Sequence, residues 1–440
     1  MAWSSVPEIE RFRGALLAGA MGDALGAPVE TLPAHVVRER HGRLVDYQRG
    51  RREPGQVTDD TQLTICVADT LTVCGYLNPD DFVHRLLCAW PGVRGRGHAT
   101  KEAVHRLQKG IPWTQAGTVG DGNGAAMRSA PIGLVRWDDP VLLRAEAILS
   151  ALPTHRGEMG VAGAVVMAAA AAYLVRQEPT SFDPGAFVAA LQRSIAGMES
   201  SEQPERRDPS IRTTLHDRLA LVLDLVDRSP PDAFDRLWNG AYVLESLPAA
   251  LYCFLRSPTD VEEVLLRAVN MGRDADTVAA MAGTMSGALN GFDGLPQRLL
   301  ANLEERDYLE VRARRLHSLA ATGDSTSFLA SGDEYDDDIP NHRLRQENVP
   351  TDTELAGGWA PFASTFDGYR YWGSHHDHEQ ESLGKAWSEG RKLPANLTEL
   401  RTVLFWQQRW YHWNSHLDPE LEPNDLIPSV ISAIRTLVPA

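Results

Sequence analysis

Two short clusters of aspartate and threonine, far apart in the chain, carry the residue types best suited to chemistry. The first, Val57–Thr61, reads VTDDT, and the second, Gly272–Thr277, reads GRDADT. Apolar residues at helical spacing follow each cluster, so each predicts the first turn of a helix. An aspartate at a helix start is usually an N-cap, and capping alone would explain either cluster. The recurrence of the same chemistry at two helix starts favours a shared site instead.

Four carboxylates brought into one site require compensating charge. Asp59 and Asp60 would repel Asp274 and Asp276, and one or more of them would take up a proton unless cations were present. Oxygen donors without paired His or Cys select Mg²⁺, with Mn²⁺ or Ca²⁺ as alternatives, over zinc. The two clusters therefore predict an oxygen-ligated site for two divalent cations.

A glycine-rich stretch, Gly120–Arg128 (GDGNGAAMR), precedes a helical pattern and is a candidate phosphate-binding loop. Glycine density just before a helix gives exposed backbone amides at its N-terminus, where phosphate binds. An ordinary turn is the competing interpretation, and Asp121 opposes phosphate unless its side chain points away. Thr154–Gly157 then predicts a cap for the alanine-rich helix Glu158–Val175, and His155 would bond either a ligand or the chain itself.

Composition excludes several classes of protein. The 440 residues carry a formal charge of −16 with a pI near 5.3, which argues against a general nucleic-acid binder because such a protein is basic. The four cysteines form no Cys-x-x-Cys pair, which favours reduced core residues. The longest apolar run, Val161–Val175, is shorter than the ~20 residues of a spanning helix, and no apolar signal core precedes Gly14. We expect a cytoplasmic monomer without membrane or nucleic-acid partners.

Helical periodicity dominates the first 321 residues, and no persuasive period-2 strand pattern is present there. The expected fold is therefore all-α, one large globular bundle of helices. Glycines and alanines are dense in Arg11–Leu25 and again after Val278, which predicts two helices whose backbones pack closely.

Three regions are expected along the chain. Residues 1–322 would form the catalytic domain. Residues 323–358 are polar and acidic and predict a linker. Residues 359–440 contain six tryptophans and predict a smaller, mainly helical accessory region.

Five ordered motifs between Arg11 and Leu300 resemble those of the ADP-ribosylglycohydrolase family. That family includes the dinitrogenase reductase-activating glycohydrolase and the ADP-ribosylarginine and ADP-ribosylserine hydrolases. One motif alone would be weak, but five in the same order are specific. The motifs are Gly14–Glu30 (GALLAGAMGDALGAPVE), Thr58–Thr61 (TDDT), Gly120–Arg128 (GDGNGAAMR), Thr154–His155 and Gly272–Thr277 (GRDADT).

The resemblance implies an all-α fold with two Mg²⁺ ions, or Mn²⁺, in a central cleft. Glu30 matches the family's glutamate near the scissile bond, and with Asp60 and Asp274 it forms the expected catalytic set. Two features depart from the family pattern, Asp121 in the glycine-rich loop and the sequence Arg156–Glu158 after Thr154–His155. They affect the residues expected to contact the phosphates and the acceptor, and they leave the metal assignment intact. The implied metal ligands are Thr58, Asp59, Asp60, Asp274, Asp276 and Thr277. The implied contacts to ADP-ribose are Gly122, Asn123, Gly124, Met127 and His155.

The predicted reaction is metal-dependent hydrolysis of the N-glycosidic bond between ADP-ribose and a protein side chain, with arginine as the expected acceptor. Glu30 or a metal-ligating aspartate would take the proton of the attacking water. The partner would be an ADP-ribosylated protein or a small ADP-ribosyl compound. Three alternatives remain open: a serine-linked or small ADP-ribosyl-guanidine substrate, a two-metal phosphoesterase, and a non-catalytic ADP-ribose-binding or structural relative.

Overall fold

A computed structural model of the chain describes residues 5–322 apart from residues 201, 206–209 and 211. This part is mainly helical, and the all-α prediction is confirmed. The α-helices are α1 (Ile9–Gly26), α2 (Ala34–His41), α3 (Asp59–Cys74), α4 (Pro79–Ala89), α5 (His98–Gln108), α6 (Trp113–Ala116), α7 (Ala130–Val135), α8 (Pro140–Ala151), α9 (Glu158–Leu174), α10 (Pro184–Ser194), α11 (Leu215–Leu225), α12 (Pro230–Leu237), α13 (Val243–Leu255), α14 (Val261–Val269), α15 (Ala275–Asn290), α16 (Gln297–Leu300) and α17 (Arg306–Thr322). Single-turn 3-10 helices span Trp90–Gly92, Pro179–Ser181 and Phe292–Gly294.

One short antiparallel ladder departs from the expectation that this part of the chain has no strand. Strand β1 (Gln203–Pro204) pairs with β2 (Arg212–Thr213) in the connection between α10 and α11. Two residues a strand are too few for a period-2 pattern to appear in the sequence. The ladder therefore leaves the fold class unchanged.

Helices α1 and α15 pack with their backbones in direct contact and run antiparallel. A methyl group added at Gly14, near the start of α1, would lie 2.3 Å from the carbonyl oxygen of Gly287 near the end of α15. A methyl group at Gly26, the last residue of α1, would lie 2.3 Å from the amide nitrogen of Asp276. The close packing predicted from the small residues is confirmed, and it places the start of α15 against the end of α1.

Helix α9 is buried along nearly all of its length and packs against α7 and α8. Its apolar residues lie on every side, which is typical of a helix in the middle of a core. In residues 5–322, as far as they are described, no helix has the length and hydropathy that crossing a bilayer would demand.

Helix α17 closes the bundle by packing on α1 and α3. The Asp69 carboxylate on α3 accepts hydrogen bonds from Arg312 Nε at 2.7 Å and from the Tyr308 hydroxyl at 3.0 Å. The predicted linker, 323–358, and the accessory region, 359–440, lie outside the described residues, so the three-region division stays a prediction.

Candidate active site

The two Asp/Thr clusters begin helices α3 and α15, as predicted, but their side chains do not cap them. Thr58 is the N-cap residue of α3 and Asp274 that of α15, and neither makes a side-chain capping hydrogen bond. The alternative in which these aspartates serve only as caps is therefore wrong. Their oxygens remain available for other partners.

The start of α3 is instead capped by Asp23, a buried residue of α1 that was not among the predicted site residues. Its carboxylate accepts hydrogen bonds from the amide and hydroxyl of Thr58 at 2.8 and 2.7 Å. It also accepts from the amide and hydroxyl of Thr61 at 3.1 and 2.6 Å. Burial raises the pKa of Asp23, and the four donors oppose that effect. A lone carboxylate among the small and apolar residues of α1 was the available sequence signal.

Asp60 joins the two helix starts. Its Oδ2 lies 3.3 Å from Thr277 Oγ1 and 3.3 Å from Thr58 Oγ1, whose own proton goes to Asp23. Its Oδ1 is buried and has no hydrogen-bond partner among the described residues. A buried carboxylate oxygen without a partner is unfavourable, so this atom marks a position where a cation or a donor is needed.

Asp274 connects α15 to the glycine-rich loop. Asn123 Nδ2 donates to Asp274 Oδ2 at 2.5 Å and to the Ser246 hydroxyl at 3.1 Å. The Asp274 amide donates to the carbonyl oxygen of Asn239 at 3.1 Å. A predicted ligand-loop residue and a predicted metal ligand are thus in direct contact.

Asp59 and Asp276 lie at the same two helix starts but have different neighbours. Asp59 Oδ2 accepts from the Gly97 amide at 3.2 Å, so this side chain faces the connection before α5. Asp276 is buried, and its Oδ1 accepts from the amide of Thr277 at 3.0 Å. Asp59 is therefore turned further from Thr277 than Asp60 is, which the sequence alone did not indicate.

Glu30 is held beside the start of α15. The Thr31 amide donates to the carbonyl oxygen of Arg273 at 2.5 Å, and the Arg273 amide donates to that of Leu32 at 2.7 Å. Thr31 and Arg273 have φ of 69° and 62°, a region that residues other than glycine seldom adopt, and these bonds hold both residues in it. Glu30 is half-buried next to this pair.

The clustered carboxylates have pKa values displaced upward. Burial is the main cause, raising the pKa of Asp59 to about 8 and that of Asp274 to about 7. Burial first, and then repulsion from neighbouring carboxylates, raises the pKa values of Asp60 and Asp276 well above that of a free carboxyl. The pKa of half-buried Glu30 is also raised by burial, against the opposing charge of a neighbouring arginine. The site thus requires protons or cations at neutral pH.

The donor set fits divalent cations that prefer oxygen. The carboxylates and the hydroxyls of Thr58 and Thr277 are hard donors, and the buried Asp60 Oδ1 has no partner among the described residues. In the described part of the chain, no three His, Cys, Asp or Glu side chains form a ready-made metal site by themselves. Mg²⁺ needs few protein ligands because it usually retains several waters.

The glycine-rich loop does not lead straight into a helix, contrary to the expectation. Residues 124–128 form turns, and α7 begins only at Ala130. The Asn123 amide is used by the carbonyl oxygen of Ala241 at 3.1 Å, and Gly122 forms a bridge with Tyr242. The loop is thus fixed by the segment before α13, and a run of free amides at a helix N-terminus is not its organising feature.

Asp121 points away from the candidate ligand side. Its Oδ1 accepts from the Gly160 amide at 3.4 Å, in the first turn of α9. The helix dipole of α9 therefore offsets the carboxylate that would have opposed a phosphate.

The remaining predicted contacts lie against this loop. His155 is 1% exposed, and its ring packs on Gly122 and Gly124. Met127 is buried at the end of the loop. The segment Thr154–Gly157 leads into α9 as predicted, with Gly157 as the N-cap residue, and no side chain makes a capping hydrogen bond there.

The chain is similar to several known proteins over residues that include this site. The family model described as ADP-ribosylglycohydrolase matches residues 4–326. An uncharacterized protein of Archaeoglobus fulgidus is 34% identical over 315 residues, which cover 70% of this chain and 97% of that protein. The ADP-ribosylhydrolase ARH3 of Danio rerio is 29% identical over 340 residues, covering 71% of this chain and 91% of that protein.

Two further similarities bear on the site. The ADP-ribosylarginine hydrolase Tri1 of Pseudomonas putida is 27% identical over 337 residues, covering 74% of this chain and 82% of that protein. A solved structure of an ADP-ribosylglycohydrolase-related protein complex matches with a TM-score of 0.55 at 30% identity, covering 71% of this chain and 98% of that chain. The family match spans every residue of the candidate site.

Proposed function

The chain belongs to the ADP-ribosylglycohydrolase family and is a hydrolase of ADP-ribosylated substrates, and we propose that it cleaves ADP-ribose from arginine side chains with the help of two Mg²⁺ ions. The partnerless, buried Asp60 Oδ1 between two carboxylate-bearing helix starts is the observation that carries the metal proposal. The likeness to an ADP-ribosylarginine hydrolase supports the acceptor. A surplus of carboxylate also suits a cationic guanidinium.

The proposed ligands fall into two sets, one on each helix start. Thr58, Asp59 and Asp60 come from α3, and Asp274, Asp276 and Thr277 come from α15. Divalent cations bound there would offset the carboxylate charge and supply Lewis-acid polarisation of oxygen.

The residues of the chain itself would bind, orient and move protons. Asn123 holds Asp274 through its amide while its loop lies on the ligand side. Glu30 lies outside both ligand sets, next to the backbone bonds between Thr31 and Arg273, and would accept the proton of the attacking water. The glycines at 122 and 124 allow a ligand to approach the backbone and His155.

The test is incubation of the full chain with ADP-ribosylated arginine and serine peptides, with Mg²⁺ or a chelator, and identification of the products by mass. We expect free ADP-ribose from the arginine peptide only with metal. Release from the serine peptide alone would assign the other acceptor, AMP would indicate a phosphoesterase, and no product would indicate a binding protein.

Asp60→Asn tests the metal proposal directly, because asparagine has nearly the same shape as aspartate but lacks its negative charge. We expect loss of most activity, on the order of 10²-fold or more, with the fold retained. Asp224→Asn, an exposed carboxylate on α11, is the control for the loss of one negative charge. Full turnover by Asp60→Asn in chelator would refute the metal proposal.

A further inference from the structure

His155 has one ring nitrogen held by the protein and the other directed at the glycine-rich loop. Its Nδ1 lies 2.8 Å from Thr154 Oγ1. A methyl group added at Gly122 would lie 3.3 Å from Nε2, and one added at Gly124 would lie 2.9 Å from Cε1. No residue of the described chain forms a hydrogen bond with Nε2, although the side chain is only 1% exposed. The ring nitrogen that faces Gly122 and Gly124 thus has no protein partner among the described residues.

The oxygen of Thr154 is fixed as an acceptor by a buried arginine. Arg128 is fully buried, and its Nη2 donates to Thr154 Oγ1 and to the carbonyl oxygen of Ser150, each at 2.7 Å. Its Nη1 donates to the carbonyl oxygen of Gly124 at 3.2 Å. A guanidinium can only donate. Arg128 therefore positions both the loop and the hydroxyl that faces His155.

The hydroxyl proton of Thr154 has two candidate acceptors, and the geometry selects one. The carbonyl oxygen of Ala151 lies 3.4 Å away and already accepts from the amides of Thr154 at 3.0 Å and His155 at 2.8 Å. Both of its lone pairs are thus used, and 3.4 Å is long for a bond between two oxygens. The proton therefore goes to Nδ1 at 2.8 Å, and donation is strengthened because Arg128 polarises the same hydroxyl.

We infer that Arg128 and Thr154 hold His155 as the neutral tautomer protonated at Nε2, and that this N–H donates to an acceptor oxygen of ADP-ribose lying at Gly122 and Gly124. The identity of the ligand rests on the proposed function, whereas the tautomer does not. Arg128 and Thr154 are positioning residues, since they act only through His155.

The charge state agrees with this assignment. Burial, and then the positive charge of Arg128, lower the pKa of His155 to about 3. The ring is therefore neutral at physiological pH, and Nε2–H offers one donor without bringing a positive charge. Protonated at Nε2 and bonded at Nδ1, His155 has no lone pair with which to act as a base.

The tautomer is measured directly on the full chain by nitrogen NMR of ¹⁵N-histidine-labelled protein. His155→Gln identifies the signal of His155 among the 14 histidines of the chain. We expect a protonated, pyrrole-like Nε2 and an unprotonated, pyridine-like Nδ1 at neutral pH. Thr154→Val, which removes the donor, should give a mixture of tautomers, and Thr154→Ser, which keeps the hydroxyl, should restore the wild-type pattern.

Either of two spectral results overturns the tautomer assignment. One is protonation of Nδ1 in the wild type, and the other is an unchanged spectrum in Thr154→Val. If Thr154→Val does not fold, the wild-type spectrum alone decides, with Thr154→Ser as its check.

Calorimetric titration with ADP-ribose and Mg²⁺ tests the ligand contact. Loss of one aligned neutral donor should raise the dissociation constant of Thr154→Val about five- to ten-fold, and Thr154→Ser should recover the affinity. Unchanged affinity in a variant with altered tautomers would refute donation to ADP-ribose. If the wild type shows the Nε2–H tautomer but does not bind ADP-ribose, the proposed function fails and the tautomer assignment stands.

Discussion

Replacement of Asp23 by asparagine would show how far a carboxylate on α1 organises the start of α3. Both oxygens of Asp23 accept hydrogen bonds from Thr58 or Thr61 at the start of α3. The NH₂ group of an asparagine would therefore face a donor instead of an acceptor unless one of these threonine groups turned. The least disruptive amide orientation keeps the oxygen where Oδ2 is. That oxygen would retain the amides of Thr58 and Thr61 and the hydroxyl of Thr61. The hydroxyl of Thr58 would then have to turn and accept from the new NH₂.

The magnitude follows from the charge of the acceptor. Hydrogen bonds to a charged group contribute about 1.5–3 kcal/mol each, against about 0.5–1.5 kcal/mol for neutral ones. Three bonds that survive in neutral form would together lose about 3 kcal/mol, and the lost interaction with the α3 dipole adds to this. Removal of one negative charge from the group containing Asp59, Asp60 and Glu30 offsets part of the loss. We expect the free energy of unfolding to fall by about 2 kcal/mol.

Urea unfolding, read as the change in midpoint at constant slope, measures this difference. Asp183→Asn is the matched control, because Asp183 is an exposed residue that caps α10 with one oxygen, Oδ1, which accepts from the amides of Gly185 and Ala186 at 2.8 and 3.1 Å. An amide oxygen reproduces both of these bonds, and water screens the charge that is lost, so the control should change stability by no more than about 0.5 kcal/mol. A loss in Asp23→Asn no larger than in Asp183→Asn would refute the argument that Asp23 organises α3.

Two further predictions separate roles within the site. Glu30→Gln should lower kcat by about 10²-fold while bound metal, measured by elemental analysis, stays unchanged, and loss of metal would instead make Glu30 a ligand. Because the pKa of His155 is lowered to about 3 in the folded chain, the unfolded chain binds the extra proton first as the pH falls below about 6.5. The free energy of unfolding of the wild type should therefore fall between about pH 6.5 and pH 3. Its slope should exceed that of His155→Gln by up to about 1.4 kcal/mol per pH unit. Equal slopes in the two proteins would contradict the burial of His155 in its neutral form.

The helices and the two helix starts were predictable from sequence because their signals are local. Apolar spacing after Val57–Thr61 and Gly272–Thr277 marked where α3 and α15 begin, and small residues marked α1 and α15 as closely packed helices without showing that they pack on each other. The hydrogen-bond partner of each side-chain oxygen in the site was not predictable in this way, because the partners are far apart in the sequence. Asp60 meets Thr277 across 217 positions, and Thr58 receives its cap from Asp23 rather than from its own helix. A sequence pattern that identifies caps by neighbouring positions cannot find a cap contributed by another helix.

The properties of the glycine-rich loop also depend on segments that are distant in the sequence. Its glycines predicted amides free for phosphate, but the Asn123 amide is occupied by the carbonyl oxygen of Ala241, and the ring of a buried histidine, His155, packs against the loop. Asp121, which departs from the family pattern, accepts a hydrogen bond from the first turn of α9, which begins 37 positions later in the chain. Each of these outcomes depends on segments that only the fold brings together. The residue types indicated the site, and the long-range contacts set the direction in which each side chain points.

The backbone contact between α1 and α15 explains how the site tolerates its own charge. A cluster of buried carboxylates would lower its energy by moving apart, so something rigid must oppose that movement. Gly26 lies against the Asp276 backbone with no room for a methyl group, and Gly14 does the same against Gly287 at the far end. Two helices packed this closely cannot slide or separate without losing contact along their whole length. The small residues therefore fix the positions of Asp23 and Asp276 on the two helices, and the repulsion that remains is available to be relieved by bound cations.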